Sequence, residues 1–343
     1  MALRRERVLL FGAGPLASKL AEEVEARPGL RWEIAGVVDD NAAAAALQPR
    51  LLGTTRDLER VMREAAPDRI VVTLTARRGR LPVDALLEAR VRGIVVEDGA
   101  SVYERLTGKL AIEALTPSAL IFSSDVRPVH FDVRARCALS VALAAAGLVA
   151  LLPLLVLVAL AIVIDSPGPV FFLHERVGHL GRRFSLIKFR TMHPTRGRRS
   201  EWERDNGDRI TRVGKWLRRF RLDELPQFWN VLRGDMNLVG PRPHPVCNFR
   251  LFAQKIPYYS LRCAVRPGIT GWAQVRYGYA NNLEEETEKM RYDLYYVRHV
   301  CFGLDVKILF DTLRAVGFGR GVGRAMSAAA ETGRWKPAPP TPA

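Results

Sequence analysis

Over its first 130 positions the chain alternates short β-branched, apolar runs with longer amphipathic stretches. RVLLF precedes a helix-like stretch at 16–26, WEIAGVV one at 57–64, and RIVVTL one at 83–90, with GIVVED closing the series. Short apolar runs separated by stretches of helical period describe a parallel, doubly wound sheet, so the pattern predicts an α/β, Rossmann-like domain over 1–130. From Cys137 to Ile164 the alternation stops, leaving 28 consecutive residues without a charge. As one helix at about 1.5 Å per residue this stretch would be about 40 Å long, more than the roughly 30 Å of a bilayer's hydrocarbon core.

Pro153 lies near the middle of that stretch, where it removes a helical hydrogen bond and crowds the preceding turn, so a kink is expected there. Both flanks are basic, with Arg127, Arg134 and Arg136 before and Arg176, Arg182, Arg183, Lys188 and Arg190 after. Such symmetry orients no single span and favours a re-entrant hairpin over 131–165 that returns to the face it left. In RITRVGKWLRRFR, Ile210, Val213, Trp216, Leu217 and Phe220 recur at helical spacing among arginines. That is the signature of a helix lying in the headgroup plane, although the same stripe suits a surface helix packed on a core. The segment 166–320 reads as a third, soluble part. The proline-rich end, 321–343, is expected to be a disordered tail.

Composition sharpens this picture through where the charge falls. The chain of 343 residues carries a formal charge of +16, yet residues 1–130 hold 19 basic and 18 acidic side chains, a net +1. The remaining +15 lies in the later segment, which must face an anion: a phosphorylated substrate, an anionic lipid or a nucleic acid. The four cysteines are widely spaced with no CxxC pair, which argues against a zinc site. The chain opens without a secretory pattern, so the first domain is expected on the cytosolic side.

Two places carry candidate chemistry. GAGPLA, with Gly12, Gly14 and Ala17, matches the dinucleotide fingerprint between a strand and a helix, and Asp39 and Asp40 end the second strand where a ribose-binding acid belongs. The alternative is a domain that uses these glycines only for a tight turn. In LDELPQFWNVLRGDMNLVGPRP, Asp223 and Glu224 are adjacent acids ahead of Pro226. They suit a helix N-terminus, where carboxylates cap and complement the dipole. On spacing alone that is the favoured reading; the alternative is a nucleophile beside a ligand for a hard cation.

From about Arg134 to Gly317 the chain resembles the bacterial sugar transferases of the monotopic phosphoglycosyl transferase family. The blocks that carry the resemblance run in order: the apolar hairpin with Pro153, DSPGPVFF, ERVG, FSLIKFRTM, LRRFRLDELPQFWNVLRGDMNLVGPRP, VRPGITGWAQV and YDLYYVRH. The resemblance implies transfer of a sugar-1-phosphate from a UDP-sugar to undecaprenyl phosphate at the cytoplasmic face of the bacterial inner membrane. UMP is released, and the product starts exopolysaccharide or related glycan assembly. By the same resemblance Asp223 is the nucleophile and Glu224 the acid associated with Mg²⁺. Lys188, Arg190, Arg218, Arg242 and Arg266 match basic motif positions suited to phosphate oxygens, and Arg218 also suits lipid headgroups. Gly268 and Gly271 are expected to shape a turn. His174 stands where relatives often have Gln, and Arg276 and Tyr279 replace familiar groups after GWAQV, as in an exosortase-associated subgroup; the donor sugar is therefore left open.

Larger members carry a similar Rossmann-like domain after four transmembrane helices, so here the hairpin is expected to supply nearly all the anchorage. Relatives with an extra domain often self-associate, so a homo-oligomer is among the implied partners. Two competing readings remain. A membrane-tethered NAD(P)-dependent nucleotide-sugar enzyme would need a catalytic Tyr–Lys pair that residues 1–130 do not offer, Tyr103 being their sole tyrosine. A basic scaffold for nucleic acid is disfavoured because the basic residues interleave with the blocks above.

Overall fold

The computed structural model describes residues 4–40, 51–74, 81–115, 130–193, 209–278, 280 and 282–317. The chain divides into two compact units, with the boundary between Ser123 and Ser124. Arg127, Tyr279 and the tail at 321–343 lie outside the described residues.

In the first unit β1 (Glu6–Phe11), β2 (Trp32–Val38), β3 (Leu51–Gly53), β4 (Arg69–Val72) and β5 (Val95–Asp98) form one parallel sheet in the order β3-β2-β1-β4-β5. Among the described residues the helices that accompany it are α1 (Pro15–Glu25), α2 (Leu58–Ala65), α3 (Val83–Val91) and α4 (Gly99–Thr107). Successive side chains of a strand point to opposite faces, and both faces here are covered, which is why VLLF is apolar throughout. Leu9, Phe11, Val38, Ile70 and Val72 pack with α2 and α3, while Val8, Leu10, Val37 and Val71 pack with α1 and α4. Among the described residues the sequence pattern anticipates the strands except β3, which has only three residues, and the helices except α4. That helix follows β5 without a break, its N-terminus capped by Asp98, whose Oδ2 accepts from Ser101 N at 3.0 Å.

In the second unit the uncharged stretch forms two helices, α5 (His130–Ala150) and α6 (Leu152–Asp165), interrupted at Leu151 (φ −93°, ψ 2°). Pro153 sits in the first turn of α6, where its ring blocks continuation from the turn before. Within α5, Val133–Ala150 is long and apolar enough to cross a membrane, with mean hydropathy 1.6. An antiparallel pair follows, β6 (Phe171–Val177) and β7 (Arg183–Phe189), in the register Phe171 opposite Phe189. Next come α7 (Arg212–Arg219), α8 (Gln227–Leu232), β8 (Asn237–Val239) and α9 (Val246–Lys255). The unit closes with β9 (Gly268–Thr270), α10 (Trp272–Arg276), α11 (Leu283–Arg298) and α12 (Phe302–Gly317).

The stripe of RITRVGKWLRRFR divides in two. Leu217 is buried with Val158 and Ile162 of α6 and Phe189 of β7, with Val213 packed against them. Trp216 and Phe220 stack at 6.0 Å between ring centroids and stay exposed.

β8 and β9 pair in parallel, and two glycines permit their approach. A Cβ on Gly268 would lie 2.1 Å from Gly240 N, and one on Gly240 would lie 2.3 Å from Arg266 O. Main chain cannot yield as a side chain tip can, so Gly268→Ala is expected to destabilise the unit by about 3 kcal/mol, at the upper end of overpacking costs. A thermal melt of that variant unchanged from the parent would refute this close fit.

Candidate active site

Asp223 and Glu224 lie on a short 3₁₀ turn, Leu222–Glu224, between α7 and α8. Arg221, just before it, adopts a left-handed conformation (φ 57°, ψ 20°) that reverses the chain after α7 and turns both acids inward. They are only 7% and 8% exposed. Buried carboxylates next to one another are costly unless cations compensate, and the two acids are compensated differently. Glu224 Oε1 accepts from Arg242 Nη2 at 2.7 Å and from Arg221 Nη1 at 3.1 Å. Burial acts to raise its pKa, but the two guanidinium groups outweigh it and hold Glu224 well below the usual carboxylate range. Asp223 is pushed the other way, to about 6, by burial and then by the charge of Glu224, against the opposing pull of Lys188, Arg218 and Arg242.

Lys188 reaches this centre from β7. Its pKa is lowered to about 8 by burial, with Arg176 adding to the effect and both carboxylates opposing it. The strand is locked to the acids by Asn230 of α8, which is fully buried. Asn230 Oδ1 accepts from Ile187 N at 3.0 Å, and Nδ2 donates to Ser185 O at 2.8 Å. Arg218 feels Asp223 and donates Nε to Thr191 Oγ1 at 3.0 Å. Arg242 comes from the 240–245 loop, which is pinned on both sides. Gly240 N donates to Thr270 O at 2.9 Å, Gly268 N to Pro241 O at 3.0 Å, and Val177 N to His244 O at 3.0 Å.

Of the basic residues singled out from the sequence, the fold thus gathers Lys188, Arg218 and Arg242 around the acids. Arg190 is buried and donates to the carbonyls of Ser166 (2.5 Å) and Pro167 (2.6 Å), just past the end of α6. Arg266 donates to Cys137 Sγ at 3.5 Å and neighbours His179. Gly271 joins the glycine interlock, for a Cβ on it would lie 2.2 Å from Gly240 O. His174 faces Phe172 on β6, and Arg276 stacks on Trp272 at 4.2 Å. Arg221 and Arg176 were not singled out as ligands. The three-residue spacing from Arg221 to Glu224 is a legible ion-pair signal; Arg176 has no local one.

In the first unit Gly12 has φ 111° and its Cβ space is filled by Leu74 N at 2.8 Å, while Gly14 is the N-cap of α1. Asp39 Oδ2 accepts from Ala13 N at 2.6 Å. The fold therefore brings these three residues together, with the acid turned onto the glycine loop itself.

Comparison with known proteins bears on the second unit above all. The bacterial sugar transferase family pattern matches residues 132–319. The chain is 41% identical over 221 residues to the UDP-N-acetylgalactosamine-undecaprenyl-phosphate N-acetylgalactosaminephosphotransferase of Aeromonas hydrophila, covering 64% of this chain and 52% of that one. It is 32% identical over 324 residues to the undecaprenyl-phosphate glucose phosphotransferase of Komagataeibacter xylinus, covering 92% and 59%. It is 30% identical over 315 residues to a UDP-glucose:undecaprenyl-phosphate glucose-1-phosphate transferase of Klebsiella pneumoniae, covering 90% and 67%. The chain thus spans little more than half the length of the first two relatives.

Proposed function

The chain belongs to the bacterial sugar transferase family, and from that membership we propose that it transfers a sugar-1-phosphate from a UDP-sugar to undecaprenyl phosphate. The observation that carries the reading is the unequal pair: Glu224 fixed by two arginines, and Asp223 beside it under the charge of Lys188, Arg218 and Arg242.

In the first step an Asp223 oxygen attacks the β-phosphorus of the donor. A carboxylate–phosphorus bond forms, the bond to the bridging oxygen breaks, and UMP leaves with the electron pair. In the second, an oxygen of undecaprenyl phosphate attacks the same phosphorus and Asp223 departs as carboxylate, leaving a polyprenyl diphosphosugar. Splitting the transfer lets one site meet a water-soluble donor and a lipid acceptor in turn. Lys188, Arg218 and Arg242 hold the phosphoryl oxygens and offset charge that develops on them.

The donor set also suits Mg²⁺. It offers hard carboxylate oxygens, and among the described residues no group of three or more His, Cys, Asp or Glu could form an all-protein cage. A cation held by one or two carboxylates and by substrate phosphates fits such a site. Glu224 would hold it, and it would supply neutralisation of the diphosphate and of the leaving UMP. The test is UMP release from UDP-glucose, UDP-galactose and their N-acetyl forms, with undecaprenyl phosphate and Mg²⁺. One donor is expected to release UMP; release from none overturns the reading.

The uncharged stretch is read as re-entrant, with both units on the cytoplasmic face of the inner membrane. Two anchors support this. Arg136, one residue before the stretch, donates Nε to Asp305 Oδ2 of α12 at 2.6 Å, and Asp165, one residue after it, accepts from Val213 N of α7 at 3.0 Å. Both ends are thereby tied to one compact unit. Cys247 and Cys301 are exposed. They and an introduced Glu25→Cys are expected to react with an impermeant maleimide only after the inner membrane is opened. Labelling of the two units from opposite faces would sink the topology.

A further inference from the structure

We propose that Arg262 is a positioning residue that sets the reach of Arg242 toward Glu224. It rests on the reading of Asp223 and Glu224 as the reacting pair. Arg242 lies between two prolines, neither of which has an N–H to donate, although the Pro241 carbonyl accepts from Gly268 N at 3.0 Å. Its carbonyl is held by a side chain instead, accepting from Arg262 Nη2 at 3.0 Å. Arg262 is only 4% exposed and lies on the 3₁₀ turn Tyr259–Ala264 ahead of β9. The same Nη2 donates to Asp293 Oδ2 of α11 at 2.5 Å, and Nη1 donates to the hydroxyl of Tyr259. That hydroxyl donates to Glu286 Oε1 at 2.9 Å, about two turns before Asp293 on the same face of α11, and Glu286 also neighbours His244 and Lys289.

Burying such a cluster is a poor way to gain stability alone, since well-packed apolar residues of equal volume often do as well. What a guanidinium adds is a rigid planar fork. It spans carbonyl, carboxylate and phenol at once and ties the loop to α11. The glycine interlock of β8 and β9 holds the opposite flank of the loop, so Arg242 projects from main chain fixed on two sides. A lysine at 262 keeps the charge and loses the fork.

The experiment is a double-mutant cycle on the full chain, with kcat and KM for UMP release and a thermal melt for each variant. Arg262→Lys is expected to stay folded and lose between about tenfold and a hundredfold in kcat/KM, the scale of a small misplacement. In an Arg242→Ala background the same change is expected to cost less than twofold, because the group it positions is gone. Equal losses in both backgrounds would mean a general structural role and overturn the proposal, as would a folded Arg262→Lys with full activity. Hydrogen exchange at the amides of Gly240, Arg242, His244 and Val246 is the second arm and needs no turnover. Faster exchange confined to that loop in Arg262→Lys supports the proposal; unchanged exchange, or acceleration throughout the unit, refutes it. Failure of the underlying reading looks different: Asp223→Asn would then retain turnover whatever the cycle gives.

Discussion

Asp223→Asn is expected to abolish sugar-phosphate transfer, with turnover down by at least about a thousandfold, as when a nucleophile is removed elsewhere. The replacement is nearly isosteric, so the pocket keeps its shape while the attacking oxygen is lost. Incubated with donor and no acceptor, the parent should gain the mass of one hexose phosphate on residue 223, and the variant should gain nothing. The variant should be at least as stable as the parent. Burial and Glu224 raise the pKa of Asp223 from the ordinary 3.8 to about 6, so ionising it costs the folded state. That cost is absent below about pH 4 and complete above about pH 6. In metal-free buffer at pH 7 the Asn variant should therefore melt at or above the parent, and the gap should close on acidification. A parent more stable than the variant at pH 7, with the gap widening as pH rises, would show that Asp223 is stabilised here and not strained.

The largest stability effect is expected at Arg136. Arg136 and Asp305 are both almost wholly buried, and their ion pair is closed by Tyr296, whose hydroxyl accepts from Arg136 Nη2 at 2.5 Å and lies 2.7 Å from Asp305 Oδ1. Three helices, α5, α11 and α12, meet in this triad. Arg136→Met leaves the carboxylate buried without its cation, which costs about 3–5 kcal/mol. At about 2–4 °C per kcal/mol for a unit of this size, the melt should fall by roughly 10 °C. Arg136→Met combined with Asp305→Leu should recover most of that loss, since the pair is then replaced by apolar volume. No change in the single variant, or no recovery in the double, would mean that the triad is not what holds α5 to the rest.

The α/β architecture of the first unit is legible residue by residue, because strand and helix impose periods of two and 3.6 on any segment with a buried side. The break near Pro153 is legible for the same local reason, although the interruption itself sits at Leu151, where the ring of Pro153 crowds the turn before. The stripe of α7 is legible as amphipathic, but not its division into a buried half at Leu217 and an exposed half at Trp216 and Phe220. That division depends on α6 lying against one side.

The uncharged stretch stands out by its length, whereas Asp223 and Glu224 are one adjacent acid pair among several, with Glu22–Glu23, Asp39–Asp40 and Glu97–Asp98, and are singled out by the motif blocks around them. Which cations serve those acids does not stand out among 52 lysines and arginines. Lys188, Arg218 and Arg242 converge on the pair, Arg190 turns to the carbonyls of Ser166 and Pro167, and Arg266 turns to Cys137. Charge interaction falls with distance through space and grows as water is excluded. Neither quantity is written in the spacing of residues; both arise when strand β7, the 240–245 loop and the left-handed turn at Arg221 are folded onto one another.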